Sequence, residues 1–434
     1  MERRVRVQVP GDKSLTQRAL ILSALAEGES RISGLLCGGD AESTAGALRA
    51  LGAGIPEIPA DRGAIRVQGV GLGGLRSTGS QLDLGNSGTG ARLLLGVLSG
   101  GAVEAAMTGD ESLRSRPMRR VTEPLSAMGA RFDFLDEGGR LPIRVHGKRP
   151  LEGIEWSTPV ASAQVKSSIL LAGLTGGASV LITEPEQSRD HTERIFHQVG
   201  VPTESRAVTD GWRVEMRDPP SRISELDFRV PGDISSAAFL LALAVLGGTA
   251  DSLEIVDVGL NPTRTAFLEV LERMGAEIAV ETDGHDEMLE PSGTVSANVS
   301  SLKGTHVGAA EVPRMIDELP LVAILGARAH GETSIRGAQE LRAKESDRID
   351  ALVRNLRALG VDVEEHEDGL TVLGSDRPLR GRVEAFGDHR IAMAFGVLGA
   401  APGNDIEVDD PQASGVSFPG FWELLRELGA GSAA

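Results

Sequence analysis

Two cations, Lys13 and Arg18, stand at the opening of an expected helix in the stretch Val9 to Leu22. Pro10 and Gly11 break the alternating run Val5, Val7, Val9, Asp12 or Ser14 can cap the helix, and Leu15, Ala19, Leu22 and Ala26 form its apolar face. The N-terminal end of a helix carries positive potential, so a cation in the first turn costs roughly 0.3–1 kcal/mol. The same unpaired N–H groups bind phosphate or carboxylate, so Lys13 and Arg18 read as partners of an anionic ligand, with a solvated basic face as the alternative. Further cations lie at cap or turn positions: Arg114 and Arg116, Arg189, Lys344 and Arg348, and His389-Arg390. Arginine offers carboxylate or phosphate a two-pronged fork, whereas lysine is a point charge that also moves a proton. Lys344 and Arg348, four apart, are expected on one helical face, with Glu345 and Asp347 able to pair inside a charge run. Arg264 and Arg119 are read as formers of surface salt bridges, worth ~0–1 kcal/mol each. Asp317 lies beside Glu318 in an apolar stretch, as a helix cap or, among cations, as a base for a hydroxyl proton. Gly88 and Gly90 let a ligand approach backbone N–H groups, and Ser162 and Gln164 suit ligand oxygens.

The elements that must hold these residues repeat. Pro231-Gly232-Asp233-Ile234-Ser235 echoes Pro10 to Ser14 half the chain later, and weaker copies of a cap followed by an Ala/Leu/Gly-rich helix begin near Asn86, Ser162, Asp317 and Asp388. Each such helix is expected to end at a C′ glycine, namely Gly28, Gly100, Gly176, Gly247, Gly331 and Gly403. A strand-like run follows each time, then a more polar helix ending in a second glycine. Six α/β units of roughly 70 residues cover the chain. The first helices, rich in small residues, are expected to be buried and the second to face water. The fold class is therefore α/β with two domains of three units each: residues 12–231 in the first, residues 1–11 and 232–434 in the second. The first residues are expected to complete the second domain's sheet. Corresponding helices opening in one direction would turn six N-termini to one interdomain cleft, which would attract anions.

Composition limits the alternatives. The chain has 434 residues, 41% hydrophobic and 24% charged, with no apolar run that spans a bilayer. A net charge of −18 argues against a nucleic-acid surface, and no membrane partner is expected. The start lacks the apolar core of a signal peptide, and the single cysteine, Cys37, excludes a disulfide framework, so a cytoplasmic location is expected. Cys37 is read as a packed thiol. No zinc-like spacing joins His191, His197 and His389, and Gly71-Leu72-Gly73-Gly74 is read as a loop rather than a nucleotide fingerprint.

Taken in order, Pro-Gly-Asp-Lys-Ser at Pro10, Leu-Gly-Asn-Ser-Gly-Thr at Leu84, Arg116-Pro117, Ser-Arg-Asp-His-Thr at Ser188, Lys-Glu-Ser-Asp-Arg at Lys344 and Asp388-His389-Arg390 resemble the enolpyruvyltransferases over the whole chain, in particular those acting on shikimate 3-phosphate. The resemblance implies two globular halves around a cleft and transfer of the enolpyruvyl group of phosphoenolpyruvate to the 5-hydroxyl of shikimate 3-phosphate. It implies that Lys13, Ser14, Arg18, Ser162, Gln164, Arg189, Asp317 and Lys344 hold shikimate 3-phosphate, and that Lys13, Gly88, Arg116, Gln164, Arg348 and Arg390 hold phosphoenolpyruvate. Asp317 would be the base, with Glu345 or Lys13 protonating C3 of phosphoenolpyruvate. No metal or organic cofactor is implied, and a monomer is expected. Val416-Ser417 before Phe418-Pro419 replaces a family lysine, and Ser162-Ala163-Gln164 departs from a common Ser-Ser-Gln. The alternatives are the sister transferase acting on UDP-N-acetylglucosamine, whose loop cysteine has no counterpart in Gly109 to Arg116, and a non-catalytic ring or clamp.

Overall fold

A computed structural model describes residues 4–249, 252–284 and 288–430. The chain divides into two compact units, one built from Gly11–Val230 and the other from Met1–Pro10, Pro231–His285 and Pro291–Ala434. Residues 288–290, expected with the second set of repeats, belong instead to the first unit. The reason is local: Glu290 Oε1 lies 2.7 Å from His191 Nδ1, both side chains being buried, and Leu289 O accepts from Arg194 Nη1 at 2.6 Å.

In the first unit α1 (Lys13–Leu25), α3 (Gly88–Gly100) and α6 (Ala163–Gly176) are the buried helices. Between and after them come α2 (Gly39–Ala50), the short α4 (Glu111–Ser115), α5 (Arg119–Ala127) and α7 (His191–Gln198). The second unit repeats this order. Its buried helices are α8 (Ile234–Val245), α11 (Leu319–Gly326) and α13 (His389–Ala400), accompanied by α9 (Ala266–Arg273), the short α10 (Val312–Met315), α12 (Arg348–Ala358) and α14 (Phe421–Ala430). Each unit closes around its own apolar core. The expected buried character holds: every side chain of α8 and α11 is buried, while α5, α7 and α12 keep charged residues on an outer face. Full burial of a leucine stabilises by about 1.5–3 kcal/mol relative to exposure, so a helix apolar all round is stable only inside such a core.

The repeated sheet motif sets the strand before a buried helix parallel to the strand after it, with a hairpin added antiparallel. Ile154–Ser157 and Val180–Glu184 pair in this way across α6. The two motif copies that open with Pro-Gly-Asp exchange their first strands. Arg4–Val7, which precedes α1, pairs parallel with Ser252–Gly259, which follows α8. Asp227–Arg229, which precedes α8, pairs parallel with Glu29–Ser33, which follows α1. The amino-terminal strand thus completes a sheet of the second unit.

Two expected terminators have a different role. Gly100 and Gly176 are the last helical residues of α3 and α6, and a Cβ on Gly100 would meet Gly176 N at 2.3 Å. A Cβ on Gly96 would meet Ser168 O at 2.2 Å. These glycines permit close backbone approach of the two helices, whereas Gly28 (φ +104°) supplies the left-handed turn expected after α1.

Candidate functional site

In the first unit the anion-binding candidates cluster at the openings of α1, α3 and α6. Asp12 caps α1, accepting from Leu15 N at 2.8 Å, which leaves Ser14 to other partners. Lys13 Nζ stands 3.1 Å from Asp40 Oδ2, at the opening of α2. Gln17, fully buried, donates to Ser87 Oγ at 2.7 Å and to Asp40 O at 3.3 Å, tying α1 to the cap of α3. Arg18 is 4% exposed, and its donors all meet neutral oxygens: Thr192 Oγ1 at 2.8 Å, Ser167 Oγ at 3.0 Å and Ser14 O at 3.0 Å. Burial draws its pKa down to about 10, against the more distant Glu193, Asp12 and Glu290, while nearby Arg189 adds to the fall. It remains a cation at neutral pH.

At α3, Ser87 accepts from Gly90 N at 3.1 Å, and Gly88 is flanked by two guanidinium groups. A Cβ on Gly88 would lie 2.9 Å from Arg116 Nη1 and 3.0 Å from Arg92 Nη1. Arg92 donates to Gly88 O at 3.2 Å and to Gln164 Oε1 at 3.0 Å, while Gln164 Nε2 donates to Thr89 Oγ1 at 3.0 Å. Arg116 Nη2 donates to Asn86 Oδ1 at 2.6 Å and to Ser112 Oγ at 3.1 Å. Gly88, Arg116 and Gln164 are therefore brought together by way of Arg92. Its position, four residues into the helix, carries the same signal of a cation at a helix opening that picked out Lys13 and Arg18.

Ser162 caps α6, and its N–H donates to Glu184 Oε1 at 2.9 Å. Glu184 Oε2 accepts from Ser188 Oγ at 2.7 Å and pairs with Lys166 Nζ at 3.2 Å, which also pairs with Glu193 Oε1 at 2.9 Å and donates to Ser188 O at 3.2 Å. Lys166, wholly buried, thus anchors both Ser162 and the loop carrying Arg189. A lysine in an otherwise apolar helix face was its sequence signal. Burial and Asp190 hold the Glu193 carboxyl above its ordinary value in spite of Lys166.

In the second unit, Asp317, Glu345, Arg348 and Arg390 form one group with Asp388. Arg348, fully buried, pairs with Asp388 Oδ2 at 2.8 Å through Nε, with Glu345 Oε2 at 2.6 Å through Nη2 and with Asp317 Oδ1 at 3.5 Å through Nη1. Burial alone would lower its pKa, but Asp388, Glu345 and Asp317 outweigh it and hold it above its ordinary value. Burial would raise the Asp388 carboxyl, and Arg348 outweighs that, holding it below the usual carboxylate range. Arg390 Nε stands 3.7 Å from Asp317 Oδ1, and its Nη1 donates to Asp317 O at 3.2 Å. Asp317 is half-buried, with its carboxylate between two guanidinium groups.

Two expectations are corrected here. Lys344 and Arg348 do not share a helical face: Gln339–Ala343 is a 3₁₀ turn, Lys344 is extended (φ −88°, ψ −152°), and Asp347 caps a helix that begins only at Arg348. Asp347 Oδ1 accepts from Asp350 N at 3.0 Å, and the cap ends the charge run that spacing alone made continuous. Arg264 is no surface residue, being 2% exposed and 2.7 Å from Ser235 Oγ. Arg119 stacks over the Phe134 ring at 5.4 Å. Cys37 is partly buried against the first core.

Comparison with known proteins agrees with the fold. The enolpyruvyl transferase NikO from Streptomyces tendae superposes with a TM-score of 0.73 at 19% identity, over 98% of this chain and 94% of that one, which places the chain in the two-domain enolpyruvyltransferase fold. An EPSP synthase from Acinetobacter baumannii matches with a TM-score of 0.84 at 38% identity, covering 99% of this chain and 96% of the other. A 3-phosphoshikimate 1-carboxyvinyltransferase of Thermus thermophilus is 49% identical over 434 residues, 99% of this chain and 97% of its own. The model of the EPSP synthase (3-phosphoshikimate 1-carboxyvinyltransferase) family matches residues 3–425, and the chain belongs to that family.

Proposed function

We propose that the protein transfers the enolpyruvyl group of phosphoenolpyruvate to the 5-hydroxyl of shikimate 3-phosphate, releasing phosphate, with the two residue clusters in distinct roles. The observation that carries this reading is Arg18, a buried guanidinium whose hydrogen bonds all go to neutral oxygens, set among helix openings that favour anions. Lys13, Ser14, Arg18, Ser162, Gln164, Arg189, Asp317 and Lys344 hold shikimate 3-phosphate. Lys13, Gly88, Arg116, Gln164, Arg348 and Arg390 hold phosphoenolpyruvate, and Arg92, which bridges Gly88 and Gln164, joins them.

Asp317 accepts the 5-hydroxyl proton as the oxygen attacks C2 of phosphoenolpyruvate. Its carboxylate, lodged between Arg348 and Arg390, is oriented for that step, and the same guanidinium groups offset charge developing on the substrates. Lys13 or Glu345 protonates C3 of phosphoenolpyruvate, each held by an opposite charge, Lys13 by Asp40 at 3.1 Å and Glu345 by Arg348 at 2.6 Å. Loss of a C3 proton from the tetrahedral adduct back to the donor re-forms the C2–C3 double bond and breaks the C2–O bond to phosphate, which leaves with the proton held on Asp317. The protein acts as a cytoplasmic monomer, which light scattering of the pure protein and fractionation of its source cells check. Among the described residues no helix is long and apolar enough to cross a membrane.

The test is phosphate release from phosphoenolpyruvate with shikimate 3-phosphate and, separately, with UDP-N-acetylglucosamine. Release with the first alone, reduced about 10²–10⁴-fold by Asp317→Asn, is the expected result. Release with the second alone assigns the sister activity, and release with neither overturns the proposal.

A further inference from the structure

The second copy of the opening motif is put to a different use. Pro231-Gly232-Asp233-Ile234-Ser235 repeats Pro10-Gly11-Asp12-Lys13-Ser14 with isoleucine in place of lysine, and both aspartates cap their helices. At the first copy the motif serine, Ser14, is half-buried, and its carbonyl accepts from Arg18. At the second copy Ser235 is buried and its hydroxyl donates to Glu318 Oε1, while it accepts from Arg264 Nη2 at 2.7 Å. Arg264 Nη2 also stands 3.5 Å from Asp233 Oδ1 and 3.9 Å from Glu318 Oε1. A carboxylate of the chain itself therefore occupies the opening of α8, the kind of place where the α1 copy is expected to take an external anion.

This internal pair adjoins the proposed base. Glu318 is the N-cap residue of α11 and directly follows Asp317, and its carbonyl accepts from Leu321 N at 2.9 Å. Of the two consecutive carboxylates, Asp317 stands near Arg348 and Arg390, while Glu318 accepts from Ser235 and stands 3.9 Å from Arg264. Arg264 is in turn held by its own loop, where its N–H donates to Asn261 O at 2.8 Å and Asn261 Oδ1 accepts from Thr263 N at 2.9 Å. With Glu318 anchored, the first turn of α11 cannot rotate without breaking a buried charge-assisted contact.

We propose that Arg264 is a positioning residue for Asp317, acting through Ser235 and Glu318 to fix the first turn of α11 and hence the direction of the Asp317 carboxylate. The inference rests on the reading of Asp317 as the base. A base turned away from its hydroxyl slows the chemical step without weakening substrate binding, so the loss falls on kcat.

Steady-state phosphate release, with each substrate varied, is measured for Arg264→Met, Arg264→Lys, Ser235→Ala and Glu318→Gln beside Asp317→Asn and the unaltered protein. Arg264→Met is expected to lower kcat by about tenfold or more with both KM values within about threefold, and Arg264→Lys to recover part of the loss. Ser235→Ala and Glu318→Gln are expected to lower kcat in the same way. An Arg264→Met protein with unchanged kcat, or with raised KM alone, overturns the proposal while leaving the function intact, provided that Asp317→Asn is inactive. Wild-type turnover by Asp317→Asn removes the base assignment and the proposal with it. If Arg264→Met does not fold, unchanged kcat in both Arg264→Lys and Glu318→Gln overturns it equally.

Discussion

Arg18, in the second turn of α1, and Arg348, the first residue of α12, are both buried, yet one is surrounded by hydroxyl and carbonyl oxygens and the other by three carboxylates. Burial draws the Arg18 pKa down, whereas at Arg348 the carboxylates more than reverse the same effect. On the proposed function, the difference separates a cation whose neutralising charge arrives with a ligand from one whose neutralising charge is built into the fold. A buried charge is costly until it is paired, so Arg18 gains most from an incoming phosphate and Arg348 is needed before any substrate binds.

Removing each cation should therefore have opposite signatures. Arg348→Met leaves Asp388, Glu345 and Asp317 without their shared partner and is expected to destabilise the protein by about 3–5 kcal/mol, read from urea unfolding. Asp388→Asn in the same background should recover part of that loss. Arg18→Met, in contrast, should weaken shikimate 3-phosphate binding by roughly 2–5 kcal/mol, since it removes one side of a desolvated charge pair formed with the ligand. Unfolding of the free Arg18→Met protein should change by no more than about 2 kcal/mol, and equality of the two stability losses would erase the distinction.

Gly88→Ala gives a smaller effect and sharpens the contrast within the first unit. Its Cβ would press on the guanidinium ends of Arg116 and Arg92, which are flexible enough to move, so the melting temperature should hold. The KM for phosphoenolpyruvate should rise by about tenfold, or roughly 1.4 kcal/mol, in the phosphate-release assay.

The smallest effects are in pH dependence, and they have opposite signs in the two units. Glu193 has a raised pKa, so its contribution favours the native state below the ordinary value of 4.5 and is lost as pH rises from there through the folded pKa. Asp388 has a depressed pKa, so its contribution is present above the ordinary value of 3.8 and is lost as pH falls through the folded one. Urea midpoints across pH should show Glu193→Gln flattening a decline above pH 4.5 and Asp388→Asn flattening one below pH 3.8, by at most about 1.4 kcal/mol per pH unit. The same sign in both variants would break the comparison.

Much of this was legible before folding. The capping aspartates Asp12, Asp233 and Asp388 each act within three residues of their own position, and the apolar character of α8 and α11 is visible in their residues alone. Lys13 and Arg18 were singled out because charge at a helix opening conflicts with local stability, and Arg116, Arg348 and Arg390 because they cluster at cap or turn positions of an acidic chain. The misses have one origin. Lys344 and Arg348 were joined into one helix because spacing carries no record of the cap that intervenes at Asp347. Arg264 was taken for a surface residue because its partners Asp233, Ser235 and Glu318 lie 29 or more positions away along the chain. Lys166, Glu184 and Glu193 were passed over because a buried ion cluster has no periodicity of its own.

The sequence by itself determined the six repeats, their caps and buried helices, and the inventory of anion-seeking side chains, because each is encoded within a turn or two of the residues that express it. Only the tertiary structure decided which of these charges meet carboxylates of the chain and which meet neutral oxygens. It also decided that Asp227–Arg229 takes, in a sheet of the first unit, the place that the expected amino-terminal strand takes in the second. Those outcomes depend on pairings such as Arg18 with Thr192, Ser235 with Glu318 and Arg348 with Asp388, between residues dozens to hundreds of positions apart. Burial and Coulombic energy are set by such neighbours in space, and local sequence does not specify them.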